Sequence, residues 1–157
     1  MKRLWAPWRI SYIQKKKSGR CIFCQAKHSK SGHYLVFKTS LSMCIMNIYP
    51  YNNGHLMVAP LRHKGNLRDL KEQELLDLIK AVVKAQSLLD KVLKPEGYNI
   101  GINEGQIAGA GIPGHLHVHI VPRWQADTNF MPITADTKVI SQSLDQLYKK
   151  LRYAQCI

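Results

Sequence analysis

The chain has 157 residues, 45% of them apolar and 21% charged, which predicts one compact domain with a core of its own. No run approaches the ~18 apolar residues of a membrane span, and four unevenly spaced cysteines are too few for a secreted disulfide scaffold. Formal net charge is +13, and 13 basic residues precede the first acid, Asp69, whereas from there on the signs balance at 10 each. A field of that sign attracts anions such as nucleotides or nucleic acid, and serves equally as a solubilising surface.

Residues 1–20 are basic and polar, with Trp5 and Trp8 around Pro7. They lack the apolar stretch of a secretory signal and read as a docking segment, because tryptophans gain most by burial. Without targeting signals the expected location is the cytoplasm. Tyr34–Phe37 and Leu41–Ile48 predict two strands joined at Thr39-Ser40. Pro50-Tyr51-Asn52-Asn53-Gly54 is a turn cluster, and His55–Ala59 predicts a third strand stopped by Pro60.

A long helix is expected from Leu70 to Lys94. Asp69 and Glu72 have capping-box spacing, and Leu75, Leu78, Ile79, Val82, Val83 and Leu89 make a broad apolar stripe. Pro95 and Gly97 end it. Tyr98, Ile100 and Ile102 alternate as a fourth strand, Gly105–Gly114 is a loop with four glycines, and Leu116, Val118 and Ile120 alternate as a fifth strand ended by Pro122. Val139–Leu151 predicts a short C-terminal helix. Strands grouped around one long helix indicate an α+β fold on an antiparallel sheet of about five strands. The organisation expected is a basic segment over 1–30, a core over 31–125 and a C-terminal extension over 126–157.

The chemistry concentrates in Gly114-His115-Leu116-His117-Val118-His119-Ile120. In a strand, residues two apart share a face, so the three histidines point one way and the apolar residues the other. Buried imidazoles each need polar partners, which makes three on one face a poor packing solution. Such a row can bind metal or supply a nucleophilic imidazole flanked by donors. The loop from Asn103 to Gly111 favours the second use, because glycines let backbone N–H groups approach phosphate oxygens.

His-φ-His-φ-His-φ-φ resembles the signature of the histidine triad (HIT) superfamily of nucleotide hydrolases and transferases. Leu4-Trp5-Ala6-Pro7-Trp8-Arg9, Cys21-Ile22-Phe23-Cys24, Asn47 through His55, and Pro122-Arg123-Trp124 are similar to its bacterial branch of diadenosine tetraphosphate phosphorylase-like proteins. The resemblance implies that His117 is the nucleophile that attacks the α-phosphate and carries the nucleotidyl group. It implies that His119 contacts the α-phosphate or the bridging oxygen and that His55 buttresses the site. Asn103 and the loop with Gly105, Gly109 and Gly111 would bind phosphates. Asn47 would bind the ribose, and Met43, Ile45 and Leu56 are candidates for a base pocket. No organic cofactor is implied. A homodimer through the long helix and an edge strand is. One position departs from many relatives: Ile112 stands where a Ser or Thr precedes the triad, which puts hydroxyl-assisted departure of the leaving group in question.

Cys21-Ile22-Phe23-Cys24 reads as a metal site or redox pair. Tetrahedral zinc needs two more ligands. The resemblance implies His63 and His115 for a structural zinc site, with His28 and His33 nearer in sequence as rivals. The implied function is an enzyme that cleaves a nucleoside polyphosphate at the α-phosphate, with diadenosine tetraphosphate as the leading substrate and phosphate or water as acceptor. The competing expectation is a nucleotide-binding or scaffold protein of weak activity, for example on nucleoside phosphoramidates, whose basic segment touches nucleic acid.

Overall fold

The computed structural model describes residues 21–28, 33–128 and 140–155. The tryptophan-bearing segment of residues 1–20 and the expected helix start at Val139 lie outside them. The elements are α1 (Ile22–His28), β1 (Leu35–Lys38), β2 (Ser42–Met46), β3 (Leu56–Pro60), a 3-10 turn (Leu67–Asp69), α2 (Glu72–Leu93), β4 (Gly97–Ile102), β5 (Val118–Arg123) and α3 (Leu144–Ala154). The five strands form one antiparallel sheet in the order β1-β2-β3-β5-β4. The fold is α+β, as the sequence predicts.

The sheet separates two apolar layers. Val36, Cys44, Leu56, Val58, Leu116, Val118 and Ile120 pack under α2 and α3, whereas Met43, Ile45, Met57 and Ala59 pack with Phe23 and Ala26 of α1. β2 and β3 are buried at every position, so their sequences are near-continuous apolar runs. α1 was not foreseen, because seven residues carry too little periodicity to announce a helix. Leu147 and Leu151 place α3 in the α2-side core, and Tyr148, Arg152 and Gln155 donate to the β1 carbonyls of Leu35 and Val36. The β1 edge is thereby covered, while among the described residues no strand pairs with the outer edge of β4.

Several expectations shift. β5 begins at Val118 and runs through Pro122. Proline is tolerated there because β3 stops pairing with β5 at Ile120, so no ladder partner is lost on that side. The Pro122 carbonyl accepts from Asn52 Nδ2 at 3.0 Å instead. α3 starts at Leu144, where the Ser143 hydroxyl accepts from the Gln146 N–H. The expected α2 stripe divides: Leu78, Val82 and Leu89 are buried, whereas Leu75, Ile79 and Val83 are exposed, as is their neighbour Leu76. Leu56 joins the α2-side core, on the opposite sheet face from the histidine row, and is removed from the base-pocket candidates.

The expected cap also moves. Asp69 sits in the 3-10 turn, and the Glu74 carboxylate accepts from the Lys71 N–H at 2.8 Å. Glu74 is buried and takes two bonds from Arg62, at 2.5 Å each. Those bonds, with the Lys71 N–H, hold its pKa down at about 2. A depressed carboxylate contributes stability that is complete above the unfolded pKa, about 4.3, and is lost as pH falls towards the folded one. Glu74→Gln is therefore expected to lose about 2 kcal/mol at neutral pH. In urea melts the gap from the parent should narrow below pH 4; a constant gap down to pH 2 would contradict the assignment.

Candidate active site

Gly54 turns the chain into β3 with φ +79, a left-handed value that favours glycine, and an added Cβ would meet Leu93 Cδ1 at 2.5 Å. This tight turn delivers His55 beside the triad strand. β3 and β5 pair Met57 with His119. His55, His117 and His119 are 1%, 3% and 9% exposed, and they meet on the face opposite α2. The rings of Phe23 and His117 lie 5.1 Å apart, so α1 walls one side.

Hydrogen-bond partners fix which nitrogens carry protons. His117 Nδ1 lies 2.8 Å from the His115 carbonyl. A carbonyl only accepts, so Nδ1 holds the proton and Nε2 presents a bare lone pair. On His55, Nδ1 accepts from the Tyr51 N–H at 3.1 Å and lies 3.2 Å from Asn47 Nδ2. His55 Nε2 must then donate to His119 Nδ1, 2.9 Å away. His119 consequently carries its own proton on Nε2. Asn47 and Tyr51, through His55, thus set the tautomer of His119. The row offers one nucleophilic nitrogen and one N–H donor on neighbouring rings 4.9 Å apart.

Burial keeps the row uncharged. Desolvation pulls His55 down to about 3, with His119 and His117 adding repulsion. His119 falls to about 4 for the same first reason. His117 is lowered by burial against the opposing bond to the His115 carbonyl. Neutral imidazole is the form that can attack phosphorus or donate one N–H without a proton first being removed.

Asn103 follows Ile102, which pairs with Val118, so the glycine loop leaves β4 beside the first part of the triad strand. Gly105 and Gly109 take positive φ, 88 and 92. The loop is anchored by Glu104, whose carboxylate accepts from the Leu67 N–H at 3.0 Å. Gly111 precedes Ile112, whose side chain packs against the Phe23 cluster.

Cys21, Cys24, His63 and His115 converge at the N-terminal end of the row, with all four ligand atoms within 4.8 Å of one another. His115 donates from Nε2 to the Pro60 carbonyl at 2.9 Å, which leaves Nδ1 bare. That nitrogen lies 3.2 Å from Cys21 Sγ, 3.7 Å from Cys24 Sγ and 3.2 Å from His63 Nδ1. Ligands on a tetrahedral ion with bonds of about 2.0–2.3 Å sit roughly 3.3–3.8 Å apart. These four side chains fit such an ion, and His28 and His33 stand outside the group.

The HIT domain profile matches residues 29–126. The chain belongs to the HIT domain family. An AP-4-A phosphorylase of Mycobacterium tuberculosis is 37% identical over 154 residues, covering 92% of this chain and 79% of that protein. An asymmetrical bis(5'-nucleosyl)-tetraphosphatase of Schizosaccharomyces pombe is 42% identical over 96 residues, 61% of this chain and 52% of that protein. Among solved structures, a hypothetical histidine triad nucleotide-binding protein of Sulfolobus tokodaii has a TM-score of 0.70 at 28% identity, covering 85% of this chain and 91% of that one.

Three residues of this HIT site escaped sequence reading. Tyr51 orients His55 through its backbone and lies along His119, ring centroids 5.6 Å apart. Phe23 abuts His117, and Glu104 ties down the loop. Tyr51 sat in a turn cluster and Phe23 inside the cysteine pair, so each was counted under another signal. Glu104 carried no local signal at all.

Proposed function

We propose that this HIT chain is a nucleotidyl hydrolase or transferase that cleaves nucleoside polyphosphates at the α-phosphate, with diadenosine tetraphosphate as its substrate. One observation carries the reading: the tautomer chain leaves His117 Nε2 bare beside the His119 Nε2–H. His117 Nε2 attacks the α-phosphorus, an N–P bond forms, and the P–O bond to the leaving polyphosphate breaks. His119 donates to an oxygen at that phosphorus, while the His115 carbonyl stabilises the charge growing on the imidazole ring. Phosphate or water then attacks the same phosphorus, the electron pair of the N–P bond returns to Nε2, and the proton shed by a water nucleophile passes to solvent. Asn47 serves the ribose, and Asn103 with the Gly105, Gly109 and Gly111 loop serves the phosphates.

Ile112 supports this substrate class. An amine leaves phosphorus only after protonation, whereas a polyphosphate leaves as a stable anion. A site with isoleucine at the hydroxyl position suits the second. The names of the mycobacterial and fission-yeast relatives point the same way. Ion-exchange analysis of products tests the reading. With diadenosine tetraphosphate, ADP plus ATP formed only with added phosphate identifies a phosphorylase, and AMP plus ATP without it identifies a hydrolase. No product in either case would overturn this substrate.

Cys21, Cys24, His63 and His115 would hold zinc, a closed four-ligand ion that ties α1 and the His63 loop to the start of the triad strand. The chain also pairs with a second copy. Leu76, Ile79 and Val83 on α2 and Ile100 on β4 are exposed, and α2 meets β4 through Tyr98, which donates to the Gln86 carbonyl and to Asp90. No helix among the described residues is long and apolar enough to cross a membrane, so the stripe does not serve a span. Light scattering should give twice the 17.9 kDa chain mass, and Ile79→Glu should reduce it to one; a parent protein of 17.9 kDa only would remove the dimer.

A further inference from the structure

We infer that the recess on the β4 side of His119 is a subsite for the second nucleoside of a dinucleoside polyphosphate. The inference rests on the nucleotidyl-transfer reading above. A cavity of about 370 Å³ lies there, with Tyr51, Asn52, Asn99, Val121, Arg123 and Asp127 in its lining. Asn99 pairs with Val121, two residues beyond His119 on the same sheet face. At about 3.3 Å per residue, Val121 lies roughly 13 Å along the strand from His117, a reach comparable to a short polyphosphate. Asn47 lies level with His55 on the β2 side of the sheet, and Val121 with Asn99 lies at the same level on the β4 side, so the two halves of a symmetrical substrate would lie across the strands from each other, on either side of His55.

The lining matches a nucleoside in kind. Tyr51 is 45% exposed. Its ring packs on His55 and His119, with centroids at 4.5 and 5.6 Å, and also borders the cavity. An aromatic wall in that place can stack a base. The polar groups are held in position. Arg123 donates to both Asp127 oxygens, at 2.5 and 2.9 Å, and to Asn99 Oδ1 at 2.6 Å. Asn52 Nδ2 donates to Asp127 at 2.9 Å. With Oδ1 engaged, Asn99 has its amide N–H groups to offer the edge of a base or a ribose oxygen. Arg123 is charge-matched by Asp127, so the recess favours a neutral nucleoside over another phosphate.

The test compares kcat/KM for diadenosine tetraphosphate with that for adenosine 5'-tetraphosphate, which lacks the second nucleoside. Tyr51→Leu should lower the first roughly tenfold or more, mainly through KM, as loss of base stacking does. Asn99→Ala, which touches neither His55 nor His119, should lower it about two- to tenfold. Asn99→Ala should leave the mononucleoside substrate within about twofold, whereas Tyr51→Leu, whose parent ring packs on His55 and His119, is read only through the ratio of the two substrates, which should shift against the dinucleotide. An unchanged ratio in both variants would overturn the subsite while leaving the nucleotidyl-transfer reading intact. A parent enzyme that turns over neither substrate would overturn that reading, and the subsite with it.

Discussion

His117→Ala is expected to abolish turnover while the fold stands. The bare Nε2 of His117 is the nucleophile of the proposed reaction, and His119 cannot replace it, because His55 donates to His119 Nδ1 and leaves the proton on Nε2. Loss of a nucleophile that works as part of a unit raises the barrier by more than about 5 kcal/mol. The substitution also leaves a void beside Phe23, so a thermal melt belongs beside the assay. A folded His117→Ala protein with more than a hundredth of parental turnover would contradict the assignment.

Removing the metal should produce the second large effect, on stability first. Purified protein should contain one zinc per chain, and Cys24→Ser or a strong chelator should release it. Ligand groups at the start of α1, on the loop after β3 and just before β5 are distant in sequence, so a zinc ion held there would close long loops. Its binding free energy is then partly folding free energy. A loss of about 3 kcal/mol or more, or roughly 6–12 °C in Tm, is expected. Activity should fall less steeply than in His117→Ala. The link runs through His115, whose ring faces the metal group while its carbonyl holds the His117 proton. Metal analysis that finds no zinc, under conditions that retain it, would remove the site.

The sequence carried the sheet and the row clearly because their signals are local. His115, His117 and His119 alternate with Leu116, Val118 and Ile120, and strand period alone sends the two sets to opposite faces. Element ends were harder. Pro122 read as a terminator because the missing β3 partner at that level is a tertiary fact. Asp69 read as a cap because its spacing to Glu72 is right, yet Arg62 draws Glu74 into that role from 12 residues away. The α2 stripe read as one face, although Ile79 and Val83 stand exposed while Leu78 and Val82 are buried. Cys21 and Cys24 announced two ligands by spacing. His63 and His115 came from the resemblance, and the structure brings all four together.

Of the tautomer chain, the resemblance placed Asn47, His55 and His119 at the site, but not the bonds that join them. Asn47, Tyr51 and His55 occupy one turn and strand start, but which nitrogen of His119 holds a proton depends on contacts across two strands. That chain supports the proposal that His117 carries the nucleotidyl group. The most direct measurement is to mix the protein with radiolabelled diadenosine tetraphosphate, without added phosphate, and quench in alkali, where a phosphoramidate survives. Peptide mass spectrometry should then find the adenylyl group on His117, and on no residue of the His117→Ala protein. Product formation with the label on another residue, or with no labelled peptide at any time of quenching, would contradict the account.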